Sequence, residues 1–250
     1  MLNRVTFTGA DESISPELLI DVSRRFPFVE WGILIGSRQS VARMPSLKWI
    51  VQLLSLKAKE GEAVNLSLHV CGLPLRQIAA GRPIIGEGAE SFAGFDRVQL
   101  NWHGDRQGDI GLNVATAFNH MRNFLGGWEP EVIFQGDETN VGAGLHRETE
   151  NAGFRVSMLF DCSHGAGVLP GKWPTSIPSI KCGYAGGLGP GNVLEQLALI
   201  RQAYAAGATL HPYWVDMETK VRDRDDAFDL GKCLQVAQSV EALVWDEESP

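Results

Sequence analysis

Side chains that can transfer protons recur near the ends of short apolar runs in this 250-residue sequence. Asp161 ends one such run, and a carboxyl group in a partly desolvated site can serve as a general acid, although it can equally cap a helix. Glu30 lies inside the run FVEWGILI, where a carboxylate needs an explanation, either chemical or as the partner of a buried arginine. The polar candidates in chain order are Thr8, Asp11, Glu30, His69, Gln99, Asn101, Gln135, Asp161 and Asp216.

A second group of residues is suited to binding anions. In YAGGLGPGNVLEQL, Gly186 and Gly187 follow a strand-like run and precede a helix, so their backbone N–H groups can approach a phosphate. Thr219 and Lys220, in the segment DMETK, can close the other side of such a site. The alternative is a tight turn in which small residues are needed for packing and no ligand binds.

Two arginines and several histidines offer further binding groups. Arg38 and Arg43, in SRQSVARMPS, are suited to bidentate contact with a carboxylate, or else are surface residues of a loop. The histidines lack the close spacing typical of a metal site, so we expect packing or hydrogen-bonding roles and no bound metal. The histidines considered are His69, His103, His164 and His211.

The elements that must position these residues alternate between strands and helices. Helical periodicity is clear in the stripes 47, 50, 51, 54 and 193, 197, 200, 204, and in a last helix from about Phe228. A third helix is expected around residues 73–80, and the Gly- and Pro-rich segment 165–178 is typical of a loop. The predicted strands are Arg4–Thr8, Val29–Ile35, Val64–Val70, Arg97–Trp102, Val132–Gln135, Arg155–Asp161, Ile180–Ala185 and Tyr213–Met217.

Eight such alternations predict a single α/β domain over residues 1–250, a (β/α)8 TIM-type barrel, rather than an open doubly wound sheet. In a barrel, side chains from several strands meet at the carboxyl ends of the strands. The candidate site is therefore expected at that face, where the loops after the strands begin.

Composition restricts the partners. The chain carries 22 Lys and Arg against 30 Asp and Glu, a net charge of −8, which disfavours a nucleic-acid backbone. No run of residues is long and apolar enough to span a membrane, and the four cysteines lack metal or disulfide spacing, so we expect reduced thiols and a cytoplasmic protein. The expected partner is a small molecule, with a homodimer as one option for assembly.

Several of these segments, in order, resemble the phosphoribosylanthranilate isomerases. AGGLGPGNV is similar to the family's GGL-x-P-x-N-V stretch, and RVTFTGADE is similar to its first strand. The remaining matches are Val98–Leu100 with His103–Gly104, Leu159–Asp161, Val215–Asp216 with Val221, and Phe228–Leu230. The resemblance implies an eightfold barrel that converts an aminoaldose phosphate into an aminoketose phosphate by acid–base catalysis, without a cofactor. It also implies that Asp161 is the acid and that Arg43 or Arg38 binds a substrate carboxylate.

Two departures leave alternatives open. The family's first-strand cysteine base is matched by Thr8, whose hydroxyl is too weak a base alone, so Asp11 or Glu30 is expected to replace it. The family's Ser-Ser-Gly is matched by Glu218, Thr219 and Lys220, and a carboxylate there repels a phosphate dianion. The alternatives are therefore a lyase, epimerase or hydrolase acting on an unphosphorylated carbohydrate or nucleoside-like compound, and a catalytically inactive barrel that binds a ligand.

Overall fold

Eight parallel strands close into one barrel in the computed structural model, in sequence order from β1 to β8. The prediction of a (β/α)8 barrel is thereby confirmed. The structure describes residues 1–37, 41–60, 63–82, 92–101, 114–125, 127–136, 144–161, 163, 166–209 and 211–244. The strands are β1 (Leu2–Thr8), β2 (Val29–Ile35), β3 (Asn65–Val70), β4 (Arg97–Leu100), β5 (Glu131–Gln135), β6 (Val156–Asp161), β7 (Lys181–Ala185) and β8 (Tyr213–Met217).

Seven α-helices are present in the described part of the chain, and they cover the outside of the barrel. No helix follows β6 within the described residues 166–180, so this Gly- and Pro-rich segment is a loop and the βα alternation is interrupted there. None of the described helices is long and apolar enough to cross a membrane. The helices are α1 (Pro16–Arg25), α2 (Leu47–Glu60), α3 (Gly72–Ala79), α4 (Val114–Leu125), α5 (Leu145–Asn151), α6 (Val193–Ala206) and α7 (Leu230–Val240).

Alternation along each strand divides the side chains between two environments. On β1 and β2, Phe7 and Trp31 point outward beneath the helices, and Trp31 Nε1 donates to Ser23 Oγ of α1 at 2.9 Å. The alternate residues of β1, Thr6 and Thr8, point into the barrel, where their hydroxyl groups donate to the carboxyl groups of Glu30 and Asp216 on other strands. The inward positions are therefore polar at both ends of the barrel, which makes them candidates for a functional site.

The middle of the barrel is filled by a small apolar cluster of Ile133, Leu159, Ala185 and Trp214. The Trp214 indole takes the space beside Gly183, where a Cβ would lie 2.1 Å from a ring carbon. Glycine at position 183 thus allows one large ring to fill the axis and to separate the two polar ends.

A buried ion-pair cluster forms the amino-terminal end of the barrel interior. Glu30, which is 0% exposed, accepts from Arg97 Nη2 at 2.5 Å and Nε at 2.9 Å, and from Arg4 Nη1 at 3.1 Å. Arg97 also reaches Glu131, which pairs with Lys181 at 3.4 Å. The structure therefore corrects the expectation that Glu30 lies at the carboxyl-terminal face, and it agrees with the alternative of a buried carboxylate paired with arginine.

Candidate functional site

A cavity of about 300 Å³ opens at the carboxyl-terminal face of the barrel. Most of the predicted site residues line it, namely Thr8, Arg43, His69, Gln99, Asn101, Asp161, Gly186, Gly187, Asp216, Thr219 and Lys220. Asp11 and Glu30 are not among its lining residues, and Arg38 lies outside the described part of the chain. Sequence reasoning thus named most of the residues that line this cavity, whereas the two carboxylates it proposed as replacement bases, Asp11 and Glu30, do not line it.

Asp216, on β8, is the most deeply placed acidic group of the cavity. Its side chain accepts a hydrogen bond from Thr8 Oγ1 at 2.7 Å, and the residue is only 6% exposed. Burial raises the pKa of Asp216 to about 8, the Thr8 hydrogen bond opposes this rise, and the charges of Glu218, Glu30 and Asp161 add to it. Near neutral pH this carboxyl group therefore holds its proton in most molecules.

Asp161, at the end of β6, is held in a different environment. Its Oδ1 accepts hydrogen bonds from the backbone N–H of Ser163 at 3.0 Å and from Ser163 Oγ at 2.9 Å. The strand register pairs Asp161 with Ala185 and Ala185 with Asp216, so the two acidic residues are two strands apart, about 10 Å at the backbone. Only the methyl group of Ala185 stands between them on the inner wall, which leaves room for a substrate between the carboxyl groups.

Thr8 and His69 approach each other over Gly32, which has no side chain. A Cβ at Gly32 would lie 2.2 Å from Thr8 Oγ1 and 3.0 Å from His69 Nε2. Burial lowers the pKa of His69 to about 3, and its Nε2 is buried without a hydrogen-bond partner in the described structure. The imidazole is therefore neutral at ordinary pH, and its Nε2 is available to a polar group of a ligand.

Amide side chains form the wall between β3 and β5. Gln99 Nε2 and Gln135 Nε2 both donate to Asn101 Oδ1, at 2.7 and 3.0 Å, and Asn101 Nδ2 donates to Cys71 Sγ at 2.8 Å. Burial raises the pKa of Cys71 to about 12, so its sulfur is a thiol rather than a nucleophilic thiolate. An uncharged wall of this kind suits a substrate with hydroxyl groups, and sequence reasoning assigned no role to Cys71.

Arg43, on the loop after β2, is fully engaged by the chain's own carboxylates. Its Nη1 donates to Glu218 at 2.7 Å, and its Nη2 and Nε donate to Asp226 at 2.7 and 3.1 Å. Burial raises the pKa of Glu218, while the hydrogen bond and charge of Arg43 oppose that rise. In this arrangement Arg43 ties the loop after β2 to the loop after β8, which differs from the expected contact with a substrate carboxylate.

Asp11 has a structural position beside this pair. Its Oδ2 accepts from the Arg43 backbone N–H at 2.7 Å and from Arg222 Nη2 at 2.8 Å. Burial tends to raise the pKa of Asp11, but hydrogen bonds from Ser13, Arg222 and Arg43 outweigh it, and the pKa falls. These contacts hold loops together outside the cavity wall, so they do not place Asp11 as the replacement base.

The two glycines after β7 are required by the backbone itself. Gly186 and Gly187 have φ angles of 122° and 66°, and a Cβ at Gly187 would lie 2.6 Å from the backbone N of Leu169. Asn192 then caps the turn, accepting from Gly189 N and donating to Gly187 O, both at 2.9 Å. The packing explanation is therefore sufficient for the glycines, and anion binding at this turn stays a prediction.

Of the four histidines considered, the two that the structure describes lie far apart. His69 lines the cavity, whereas His211 is an exposed residue that precedes β8, at the opposite end of the barrel. His103 and His164 lie outside the described residues. Within the described part of the chain, no three His, Cys, Asp or Glu side chains are grouped so that they could hold a metal ion.

Comparison with known proteins places the chain among TIM barrels. No protein-family model matches, and no curated protein matches significantly. Among solved structures, a phosphoribosyl anthranilate isomerase from Thermus thermophilus is 15% identical, with a TM-score of 0.51 over 96% of this chain and 99% of that one. A phospho-2-dehydro-3-deoxyheptonate aldolase from Thermotoga maritima is 9% identical, with a TM-score of 0.51 over 97% of this chain and 69% of that one. At these identities the likeness shows the fold alone.

Proposed function

We propose that this protein is a cofactor-independent isomerase that rearranges a phosphorylated aminosugar by acid–base catalysis, as phosphoribosylanthranilate isomerases do. The observation that carries the proposal is the meeting of two carboxyl groups, Asp161 and Asp216, in one cavity with the turn at Gly186–Gly187. The motif resemblance along the chain supports the same reaction class, and the structural likeness to the Thermus thermophilus isomerase supports the barrel on which that chemistry is proposed.

The reaction needs groups that move protons at two adjacent atoms of the substrate. An aldose-to-ketose rearrangement requires a proton for an oxygen whose bond to carbon breaks, and a base for the proton on the neighbouring carbon. Asp161 and Asp216 supply two such groups on opposite sides of Ala185. The neutral His69 and the Gln99–Asn101 amides can then hold the sugar hydroxyls by hydrogen bonds.

The phosphate is proposed to lie beside the loops after β7 and β8. Backbone N–H groups of the 186–187 turn and the first turn of α6 favour an anion, and Thr219 and Lys220 line the same part of the cavity. Glu218 opposes an anion there, but its carboxylate is paired with Arg43 at 2.7 Å, which offsets the repulsion.

The second candidate function is chemistry on an unphosphorylated carbohydrate or nucleoside-like compound, as a lyase, epimerase or hydrolase. It is favoured by Glu218, a carboxylate that lines the cavity and whose buried position is costly beside a dianion. The third alternative, an inactive barrel, predicts that no carboxylate other than Asp161 faces the cavity within proton-transfer reach. Asp216 and Glu218 also line it, which weighs against that alternative.

Inorganic phosphate separates the first two candidates. We expect calorimetry to detect phosphate binding by the wild-type protein and tighter binding by Glu218→Gln, since the amide removes a negative charge from the wall. Lys220→Gln should weaken it. No phosphate binding by either the wild type or Glu218→Gln would favour the unphosphorylated substrate.

Catalysis is tested with a phosphorylated aminoaldose and by complementation of a strain that lacks the tryptophan-pathway isomerase. Asp161→Asn should lose at least about 100-fold in kcat, the usual contribution of a positioned acid or base, with ligand binding retained. Asp225→Asn is the matched control, because its side chain is 77% exposed on a loop and does not line the cavity. Full activity of Asp161→Asn, or no turnover by the wild type, would refute the isomerase proposal.

A further inference from the structure

We propose that Asp216 is the proton donor of this site and that Asp161 is the base, with Thr8 as the residue that positions Asp216. This inference rests on the proposed function, and it reverses the part that the family resemblance gives to Asp161. It also changes the role of the first-strand position, where the family has a cysteine. Here Thr8 contacts the proton donor, Asp216, and does not itself accept a proton from the substrate.

The surroundings of Asp216 favour the neutral acid. Three acidic groups on other parts of the barrel raise its pKa through their charges, namely Glu218 after β8, Asp161 on β6 and, from the far end of the barrel, Glu30 on β2. Two of these groups are paired with arginines, Glu218 with Arg43 and Glu30 with Arg97. The neighbour of Asp216 on β7 is Ala185, which carries no charge, and the Thr8 hydroxyl of β1 donates to Asp216 at 2.7 Å. A buried carboxyl group among other acids retains its proton, and burial accordingly raises its pKa to about 8.

Asp161 lies in a different environment from Asp216. It is only partly buried, and its Oδ1 accepts two hydrogen bonds from Ser163, one from the backbone N–H and one from Oγ. These contacts hold its carboxyl group at the cavity wall, on the other side of Ala185 from Asp216. Two acidic groups whose environments differ in this way divide the roles of acid and base between them.

All of the proton transfers in the proposed reaction take place between the substrate and the two carboxyl groups, so no other acid or base is needed. Asp216 gives its proton to the ring oxygen as the C1–O bond breaks, the bonding electron pair goes to that oxygen, and the nitrogen lone pair forms a C1=N bond. Asp161 takes the proton from C2, and the electron pair of the C2–H bond forms C1=C2 while nitrogen regains its lone pair. The enol then collapses to the ketone, as its hydroxyl proton passes to Asp216 and Asp161 returns its proton to C1. Both carboxyl groups finish in their starting states.

Thr8 affects the reaction through the pKa of Asp216 and does not itself transfer a proton. Its hydroxyl donates to Asp216 Oδ1, and this hydrogen bond lowers the pKa of Asp216 from the value that burial alone would set. Thr8→Val is nearly isosteric and removes only the hydroxyl, so the acid should become weaker and release its proton less readily. Thr8→Ser keeps the hydroxyl and is the conservative variant expected to restore wild-type behaviour.

Protonation of Asp216 can be measured without a substrate, by infrared difference spectroscopy of the carboxyl C=O stretch or by NMR of ¹³C-labelled aspartate. The wild type should show a carboxyl group that loses its proton near pH 8, and Asp216→Asn should lack that signal. In Thr8→Val the same titration should move to higher pH, and in Thr8→Ser it should return. An Asp216 that is already ionised at pH 6, or a Thr8→Val titration that moves to lower pH, would overturn the inference.

Kinetics then test the division of roles. The kcat of the wild type should fall as pH rises through the titration of Asp216, and the falling limb should move to higher pH in Thr8→Val. Asp216→Asn should lose at least about 100-fold in kcat with little change in KM. Turnover that rises with pH through the same range would make Asp216 the base and refute this assignment. A wild-type protein that shows the titration but no isomerase turnover would refute the proposed reaction and confirm only the protonation state.

Discussion

Replacing Glu30 by Gln should destabilise the fold, because it breaks the ion-pair cluster at the amino-terminal end of the barrel. Burial raises the pKa of Glu30, but the charges and hydrogen bonds of Arg97 and Arg4 and the hydroxyl of Thr6 outweigh it and bring the pKa from 4.5 to about 2. At about 1.4 kcal/mol per pKa unit, this shift corresponds to roughly 3 kcal/mol of folding free energy. Loss of one partner from a buried ion pair typically costs about 3–5 kcal/mol, which agrees.

The same shift in the pKa of Glu30 determines how its contribution to folding stability depends on pH. Because the folded-state pKa of Glu30 lies below the unfolded value, its contribution is complete above about pH 4.5 and is lost as pH falls toward 2. The difference in unfolding free energy between wild type and Glu30→Gln should therefore be largest at neutral pH. It should shrink steadily between pH 4.5 and pH 2.

Urea unfolding followed by tryptophan fluorescence measures this difference at pH 7 and again at pH 3. Glu60→Gln is the matched control, since Glu60 also accepts two bonds from one arginine, Arg24, but does so at the surface, where a pair contributes little. A Glu30→Gln protein as stable as Glu60→Gln at pH 7, or one whose deficit grows as pH falls, would refute this reasoning.

Three further variants test local packing and charge. Gly32→Ala places a methyl group 2.2 Å from Thr8 Oγ1, so chemical denaturation should show a loss of about 1–3 kcal/mol and the Asp216 titration should move upward. Gly183→Ala drives a methyl group into the Trp214 indole at 2.1 Å, so near-UV circular dichroism should weaken together with stability. Arg43→Ala removes the positive charge that offsets Glu218, so phosphate affinity measured by calorimetry at pH 8 should fall. Unchanged spectra, titration or affinity would contradict the corresponding prediction.

The strands could be predicted from the sequence because their outward-facing residues are apolar. Val29–Ile35 and Tyr213–Met217 agree with the structure at both ends, and the other strands differ only by a few residues. The helix pattern was read less well on α2, where Val51 is 50% exposed and Leu53 is fully buried. Trp49 explains the shift, since its indole is buried and donates at 3.0 Å to Ile14 O, in the loop before α1, which holds this side of the helix toward the barrel.

The site could be predicted only in part. The alternation of side chains along a strand indicates which residues point inward, but not how far along the barrel axis they lie. One row of paired residues runs from Asp161 through Ala185 and Asp216 to Thr6 and Glu30. Strands in a closed barrel tilt against its axis, so such a row descends as it passes around the wall. Asp161 therefore lines the carboxyl-terminal cavity while Glu30, in the same row, is buried beside Arg97 and Arg4 at the other end. The separation of these two carboxylates results from the closure of all eight strands into a barrel, so it cannot be predicted from any single segment of the sequence.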